Sequence, residues 1–152
     1  MTPSKMREKV VIERAKWIRQ MLAGLRSLPL DNYDVFSSDP RNFASAESYL
    51  RRGLEALLDL GRHVLAKGFG EAVAEYKQIS RELVKFEILS KEHSEKLRIL
   101  AGYRNRMVHF YHEITDHELY EICSQELGDI EQVLEEILTW IKNHPDMIDK
   151  TL

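Results

Sequence analysis

The stretch Tyr103–Tyr111, which reads YRNRMVHFY, holds the side chains of this chain best suited to chemistry. Arg104 offers a planar guanidinium that can bind a phosphate through two parallel hydrogen bonds. His109 carries a ring that can take up or release a proton near neutral pH. An arginine and a histidine without surrounding carboxylate ligands suit cleavage of RNA without a metal ion. In such a reaction one group activates the ribose 2′-hydroxyl, another protonates the leaving oxygen, and a cation stabilises the phosphate.

Helical periodicity places Arg104 within an apolar stripe, where a charged side chain needs a partner. Residues on a helix advance by about 100° each. The apolar residues within about 60° of Arg104 are Leu97, Leu100, Ala101, Met107, Val108 and Tyr111. The polar residues along one edge of that stripe are Asn105, His109 and His112. Two interpretations follow: Arg104 pairs with a carboxylate such as Glu47 or Glu55, or its face meets a second copy of the chain or a phosphate.

Apolar spacing and helix-end signals predict the elements that must position this stretch. The first predicted helix follows a cap at Ser4 and ends at Pro29, and the second runs from Asp39–Pro40 to Gly68. A short third helix covers Ser80–Leu89. The fourth begins at Ser90 or Ser94 and ends at Phe110, and the last runs from Thr115 to Asn143. The segments Asp31–Ser38 and Phe69–Ile79 are predicted to be loops, and no window alternates as a strand would. We therefore expect an all-α fold, an antiparallel four-helix bundle with one additional short helix, in a single domain over residues 1–152.

Two local patterns sharpen this expectation. Gly53 and Gly61 lie eight residues apart on one apolar stripe. Glycine lowers helix propensity, so these two positions predict a close approach between helices. Thr115 and Glu118 have the spacing of a capping box, which predicts the start of the last helix.

Composition and charge exclude several classes of protein. With 43% hydrophobic and 31% charged residues, the chain has the profile of a globular protein rather than a disordered one. Its formal charge of −3 does not favour electrostatic binding of nucleic acid by the chain as a whole. The one cysteine, Cys123, excludes an intrachain disulfide and a multi-cysteine zinc site. No long apolar run or secretory signal is evident, so we expect a cytoplasmic protein with no membrane partner.

The histidines near the end of the fourth helix invite a metal interpretation. His109 and His112 have helical ligand spacing, and Glu113 and His117 follow them. No carboxylate-rich frame or H-E-x-x-H accompanies them, and no glycine-rich nucleotide loop occurs anywhere in the chain. We therefore expect neither a metal site nor a cofactor.

The pattern Arg104-Asn105-x-x-x-His109-x-Tyr111 resembles the R-x4-H-x-Y motif of HepT-like toxins, a branch of the all-α HEPN superfamily. The resemblance implies a ribonuclease toxin of a toxin–antitoxin system, with Arg104 and His109 catalytic and Asn105 supporting them. It further implies a homodimer, with the active site where two motif helices meet. Tyr111 matches the tyrosine that an MNT-type nucleotidyltransferase antitoxin modifies with AMP, and such an adduct beside His109 would block RNA.

Two other functions remain open at this point. The same helix could serve a non-catalytic module, as a dimerisation or nucleotide-binding surface that supports a partner nucleotidyltransferase, because a fold alone does not decide function. The chain could also be a purely structural bundle in which Arg104 belongs to a buried ion pair and Tyr111 packs with its ring inward.

Overall fold

The structure, a computed structural model, describes residues 4–151 and is built almost entirely from helices. The helices are α1 (Glu8–Arg26), α2 (Tyr33–Ser38), α3 (Pro40–His63), α4 (Tyr76–Lys85), α5 (Lys91–His109), α6 (Asp116–Gln125) and α7 (Leu127–Lys142). A π-helical turn at Val64–Gly68 extends α3, and short 3-10 turns lie at Tyr111–Glu113 and Pro145–Met147. The predicted all-α class is confirmed.

Three helices begin at the caps that the sequence predicts. The Asp39 carboxylate accepts a hydrogen bond from the backbone N–H of Arg41, and Pro40 occupies the first turn of α3. Ser90, rather than Ser94, caps α5 by accepting from the N–H of His93. Thr115 likewise accepts from the N–H of Glu118 at the start of α6. The second half of that capping box is absent because the Glu118 carboxylate pairs with Arg106 instead.

Several predicted boundaries are wrong. Ser4 does not cap α1, which begins after Arg7. The predicted loop Asp31–Ser38 contains α2, because the Asn32 side chain caps a short helix by accepting from the N–H of Val35. The short helix is α4, which starts and ends four residues before the predicted Ser80–Leu89, so the loop after Phe69 is shorter than expected. The predicted last helix is two helices, α6 and α7, which meet at Glu126.

The two glycines of α3 mark close helix contacts, as predicted. A Cβ at Gly53 would lie 3.3 Å from the Met21 Cβ of α1. A Cβ at Gly61 would lie 2.9 Å from the Ile79 side chain and 3.2 Å from that of Leu83, both on α4. The first glycine therefore seats α1 against α3, and the second seats α4, the helix that approaches the motif.

The described helices share one apolar core, to which α1, α3, α5, α6 and α7 contribute most of the buried side chains. Near the two ends of the described chain, strand β1 (Met6–Arg7) pairs in parallel with strand β2 (Ile148–Asp149), an element the sequence does not predict. Met6 is completely buried there. Within residues 4–151, no helix combines the length and the apolar character needed to cross a membrane.

Candidate active site

Helix α5 carries Arg104, Asn105 and His109 over its last turns and ends at His109. The apolar stripe around Arg104 is confirmed for the side chains that anchor α5 in the core, which are Leu97, Leu100, Ala101 and Met107. Val108 and Tyr111 do not follow it. Because the helix ends two residues before Tyr111, the tyrosine lies in a 3-10 turn, with 68% of its surface exposed. The packed interpretation of Tyr111, with its ring inward, is therefore wrong.

Arg104 is largely enclosed, with 18% of its side chain exposed. Its Nη2 donates to Glu55 Oε2 on α3 over 3.3 Å, and its Nη1 donates to Asn105 Oδ1 over 3.2 Å. Of the two carboxylates considered from the sequence, Glu55 is the partner. The Nε of Arg104 is buried with no hydrogen-bond partner. Because only two of the five N–H groups of this guanidinium are bonded within the described protein, it retains donors for another acceptor.

Glu55 is shared between two arginines. Its Oε1 accepts from Arg51 Nη1 over 2.9 Å, and its Oε2 accepts from Arg104 over the longer 3.3 Å. The shorter contact joins two residues one turn apart on α3, whereas the longer one crosses to α5. The carboxylate therefore compensates only part of the charge of Arg104.

Tyr76, at the first turn of α4, is a part of this site that the sequence did not predict. The guanidinium carbons of Arg104 and Arg62 lie over its ring, 4.6 Å and 4.7 Å from the centroid. Its hydroxyl donates to Asp59 Oδ1 over 2.9 Å. Burial, followed by this hydrogen bond, raises the pKa of Tyr76 above its ordinary value, so the phenol stays protonated at neutral pH.

Arg62 fixes the segment that leads into α4. Its Nε donates to the carbonyl of Val73 and its Nη2 to the carbonyl of Ala74, each over 3.0 Å. A weaker contact of 3.5 Å joins its Nη1 to Asp59. Arg62 thus ties the loop before α4 to α3 and sets the place where Tyr76 enters the site.

An open pocket of about 490 Å³ collects these groups. It is lined by Arg62, Ala74, Glu75, Tyr76, Lys77, Arg104, Asn105 and His109. Three of the lining side chains carry a positive charge and one a negative charge, and the imidazole of His109 stands beside the two polar groups of Arg104 and Asn105. A pocket with this lining can bind an anion and place a proton-transfer group next to it.

The end of α5 turns its side chains outward. Val108, Phe110 and Tyr111 are all exposed. Within residues 4–151, the one aromatic ring paired with that of Tyr111 belongs to His112, perpendicular to it at 5.8 Å between centroids. His112 therefore lies beyond the helix and outside the pocket that contains His109. Among the described residues, no three His, Cys, Asp or Glu side chains stand close enough to form a metal-binding group.

Comparisons with known proteins agree with these observations. The family model described as "Ribonuclease HepT-like" matches residues 10–137. The "tRNA nuclease HepT" of Aphanizomenon flos-aquae is 28% identical over 119 residues, which cover 77% of this chain and 80% of that protein.

Solved structures share the fold. A tri-AMPylated HEPN toxin of Shewanella oneidensis in complex with MNT antitoxin has a TM-score of 0.77 and 20% identity, covering 86% of this chain and 97% of that one. The cytosolic protein YutE of Bacillus subtilis, whose function is unknown, has a TM-score of 0.77 and 16% identity, covering 92% of this chain and 94% of that one. The predicted HEPN-like fold is confirmed, and this chain belongs to the HepT-like ribonuclease family.

Proposed function

We propose that this chain is the toxin of a toxin–antitoxin pair and that it cleaves RNA without a metal ion. The observation that carries the proposal is that Arg104, Asn105 and His109 line the same pocket. Membership of the HepT-like ribonuclease family supports the reaction class, and the tRNA nuclease among the relatives supports RNA as the substrate.

The reaction is a transesterification at one phosphate of the RNA chain. The ribose 2′-oxygen forms a bond to phosphorus while the bond to the 5′-oxygen of the next nucleotide breaks. One proton leaves the 2′-hydroxyl and one is added to the 5′-oxygen, so the products are a 2′,3′-cyclic phosphate and a 5′-hydroxyl. His109 acts as the acid/base group, since imidazole exchanges protons near neutral pH.

Arg104 binds the reacting phosphate. A guanidinium is a planar cation whose geometry matches two phosphate oxygens. Asn105 supports it, because its side-chain oxygen accepts from Arg104 Nη1 over 3.2 Å and so restrains the guanidinium from the side. This contact gives Asn105 a more definite role than orienting the histidine.

The active form in this proposal is a homodimer in which two motif helices meet. The exposed apolar side chains of Val108 and Phe110 directly flank His109, and such a surface is stabilised by a partner. A second copy would bring a second His109 to the shared groove, so that one imidazole could accept a proton while the other donates one.

Tyr111 is the proposed control point. Its hydroxyl-bearing ring is 68% exposed and two residues from His109, which makes it accessible to a modifying enzyme. An added AMP would place a charged, bulky group two residues from His109, where it would hinder the entry of RNA. The partner proposed for this reaction is an MNT-type nucleotidyltransferase antitoxin. The tri-AMPylated toxin and its MNT antitoxin among the similar structures support this choice.

The decisive experiment compares wild type, His109→Ala and His112→Ala in growing cells and on purified RNA. The two histidines are three residues apart and both exposed, but only His109 lines the pocket. We expect wild type and His112→Ala to stop growth and cleave RNA in the presence of EDTA, and His109→Ala to do neither. Intact RNA with purified wild type, or equal cleavage by His109→Ala, would refute the catalytic assignment.

Intact mass after co-expression with a candidate antitoxin separates the toxin from a non-catalytic module. We expect additions in AMP-sized steps on wild type and their loss in Tyr111→Phe, with Tyr103→Phe as the matched tyrosine control. An unmodified chain in a tight complex would instead favour the module that supports a nucleotidyltransferase.

A further inference from the structure

The surroundings of Arg104 leave its guanidinium short of hydrogen bonds. Two of its nitrogens each have one partner, at 3.2 Å and 3.3 Å, and Nε is buried with none. Withdrawing a charged group from water is costly unless other contacts compensate. Glu55 supplies only part of this compensation, because it is also paired with Arg51.

The ring of Tyr76 supplies the remaining contact. Arg104 lies over that ring at 4.6 Å, within the range of a cation–π interaction, which gains strength when the cation is desolvated. A planar guanidinium over a flat ring is held in orientation as well as in place. Removing the ring would leave the guanidinium free to turn.

Two contacts and the anchoring of α4 in the core hold the ring in place. Its hydroxyl is bound to Asp59, and Arg62 lies over it while tied to the loop before α4. Further along α4, Ile79 and Leu83 are completely buried against the core. The ring is thus a rigid surface that joins α3, α4 and α5 at the pocket.

Tyr76 is not itself a proton-transfer group. Its pKa is raised and its proton is directed at Asp59, so the phenol neither supplies nor accepts a proton at the reacting phosphate. Two nitrogens of Arg62 donate to backbone carbonyls, so this arginine anchors the loop before α4. The contact of the ring that reaches a group of the proposed site is the one with Arg104.

We propose that Tyr76 is a positioning residue, which orients the Arg104 guanidinium toward the reacting phosphate through its ring and not through its hydroxyl. This inference rests on the proposed RNA cleavage. It adds a residue from α4 to a site whose motif lies wholly on α5.

Kinetics of RNA cleavage test the proposal with Tyr76→Phe, Tyr76→Leu and the control Tyr103→Leu. Tyr103 is also half-buried and donates to a carboxylate, that of Glu126 at 2.9 Å, but it does not line the pocket. We expect Tyr76→Leu to lower kcat by about 10²-fold, the usual cost of a misplaced reacting group. KM and the pH profile should change little, because the charge of Arg104 and the imidazole of His109 remain. Tyr76→Phe should keep at least half of the wild-type kcat.

A kcat loss that Tyr76→Phe shares would overturn the role of the ring. An equal loss in Tyr103→Leu would also overturn it, because it would show general loosening of the fold.

Nuclear magnetic resonance provides a readout independent of activity. The Nε–H signal of Arg104, identified by its loss in Arg104→Lys, should be shifted upfield by the ring in wild type and Tyr76→Phe, and should return to the position of exposed arginines in Tyr76→Leu. An unchanged signal in Tyr76→Leu refutes the positioning role. If wild type cleaves no RNA but the signal behaves as expected, the proposed function fails and the positioning of Arg104 by Tyr76 stands.

Discussion

At the scale of single residues, the proposed reaction makes Glu55 a competitor of the incoming phosphate for the Arg104 guanidinium. Glu55 Oε2 lies 3.3 Å from Arg104 Nη2, a distance typical of a weak contact, and the carboxylate would keep its shorter bond to Arg51 if a phosphate displaced it from Arg104. The negative charge of Glu55 would nevertheless remain close to the proposed phosphate-binding position. Like charges at a partly screened site repel modestly.

Neutralising Glu55 is therefore expected to strengthen RNA binding. In a His109→Ala background, which prevents cleavage, we expect Glu55→Gln to tighten the Kd for a single-stranded RNA by about fivefold, the equivalent of about 1 kcal/mol. Fluorescence anisotropy measures this Kd. Glu135→Gln is the matched control, because Glu135 pairs with Arg19 on another face. Weaker binding by Glu55→Gln would show instead that Glu55 holds Arg104 in its binding position.

The two partners of Arg104 differ in how far the sequence could predict them. A buried arginine needs an acceptor, and the sequence offered Glu47 or Glu55 beside a second copy or a phosphate; the structure shows Glu55 as the partner. Tyr76 gave no such signal: it precedes Ile79 in a stretch predicted to be a loop, and its contact with Arg104 depends on the tertiary placement of α4. A side chain that acts through tertiary packing leaves no characteristic spacing in the sequence.

At the scale of elements, the position of α4 depends on Gly61 of α3. A Cβ at this position would come within 2.9 Å of the Ile79 side chain, which is completely buried. At Gly128, in the first turn of α7, a Cβ would meet nothing within 4 Å. Substitution by alanine is therefore predicted to have opposite effects on stability at Gly61 and Gly128.

Urea denaturation can compare these two positions directly. We expect Gly61→Ala to destabilise the chain by about 1–2 kcal/mol, because overpacking outweighs the gain in helix propensity. Gly128→Ala is expected to be neutral or stabilising by up to about 1 kcal/mol. A stable Gly61→Ala variant would show that α4 can move away from α3 at little cost, and its kcat would then report on how tightly Tyr76 must be held.

Element boundaries show where sequence reasoning reaches its limit. The caps at Asp39, Ser90 and Thr115 were readable because a polar side chain precedes an apolar repeat. The break at Glu126 was not, because the apolar spacing runs unchanged from α6 into α7 and only the packing of each helix separates them. The helix α2 was hidden in a segment rich in turn-forming residues, and its cap at Asn32 is a local side-chain bond.

A histidine of α3 binds the backbone just before α1. The N–H of Arg7, the last residue of β1, donates to His63 Nε2 over 3.2 Å. Only the neutral ring can accept this bond. Burial, with lesser contributions from the nearby charges of Lys67, Arg14 and Arg7, lowers the pKa of His63 below its ordinary value of 6.5.

This contact makes part of the stability pH-dependent. Between the lowered folded pKa of His63 and 6.5, the unfolded chain binds a proton that the folded chain does not, so stability falls as the pH falls through that range. We expect the wild-type Tm to drop more between pH 7 and about pH 5 than the Tm of His63→Gln. The exposed His112, replaced by Gln, is the control and should follow wild type. Parallel Tm curves for all three proteins would contradict the role of His63.

At the scale of the whole molecule, the charge distribution fits a local site better than an extended nucleic-acid surface. The chain carries a formal charge of −3, and most arginines near the motif are already paired, Arg106 with Glu118 over 2.7 Å and Arg51 with Glu55 over 2.9 Å. In the proposed function, RNA affinity would then come from the pocket itself and from a second copy of it. This requirement ties the proposed activity to the proposed homodimer.

The exposed end of α5 offers the test of that homodimer. Phe110 is 51% exposed beside His109, an arrangement that costs solubility unless a second copy covers the ring. We expect Phe110→Ser to raise the dimer Kd by about 30-fold, the equivalent of about 2 kcal/mol for a central aromatic contact. Sedimentation equilibrium measures this change, and circular dichroism confirms that the monomer stays folded. Ile12, which is 57% exposed on α1, provides the matched control Ile12→Ser.

RNA cleavage by the same variants links assembly to chemistry. If the groove needs both copies, activity per chain should fall in Phe110→Ser in proportion to the fraction of dimer and recover at higher protein concentration, whereas Ile12→Ser should match wild type throughout. Protein concentration is the informative variable, because activity lost through a direct effect on catalysis would not recover at higher protein concentration. A Phe110→Ser variant that is monomeric and fully active would show that one copy of the Arg104–His109 site suffices, and it would assign the exposed ring to the antitoxin instead.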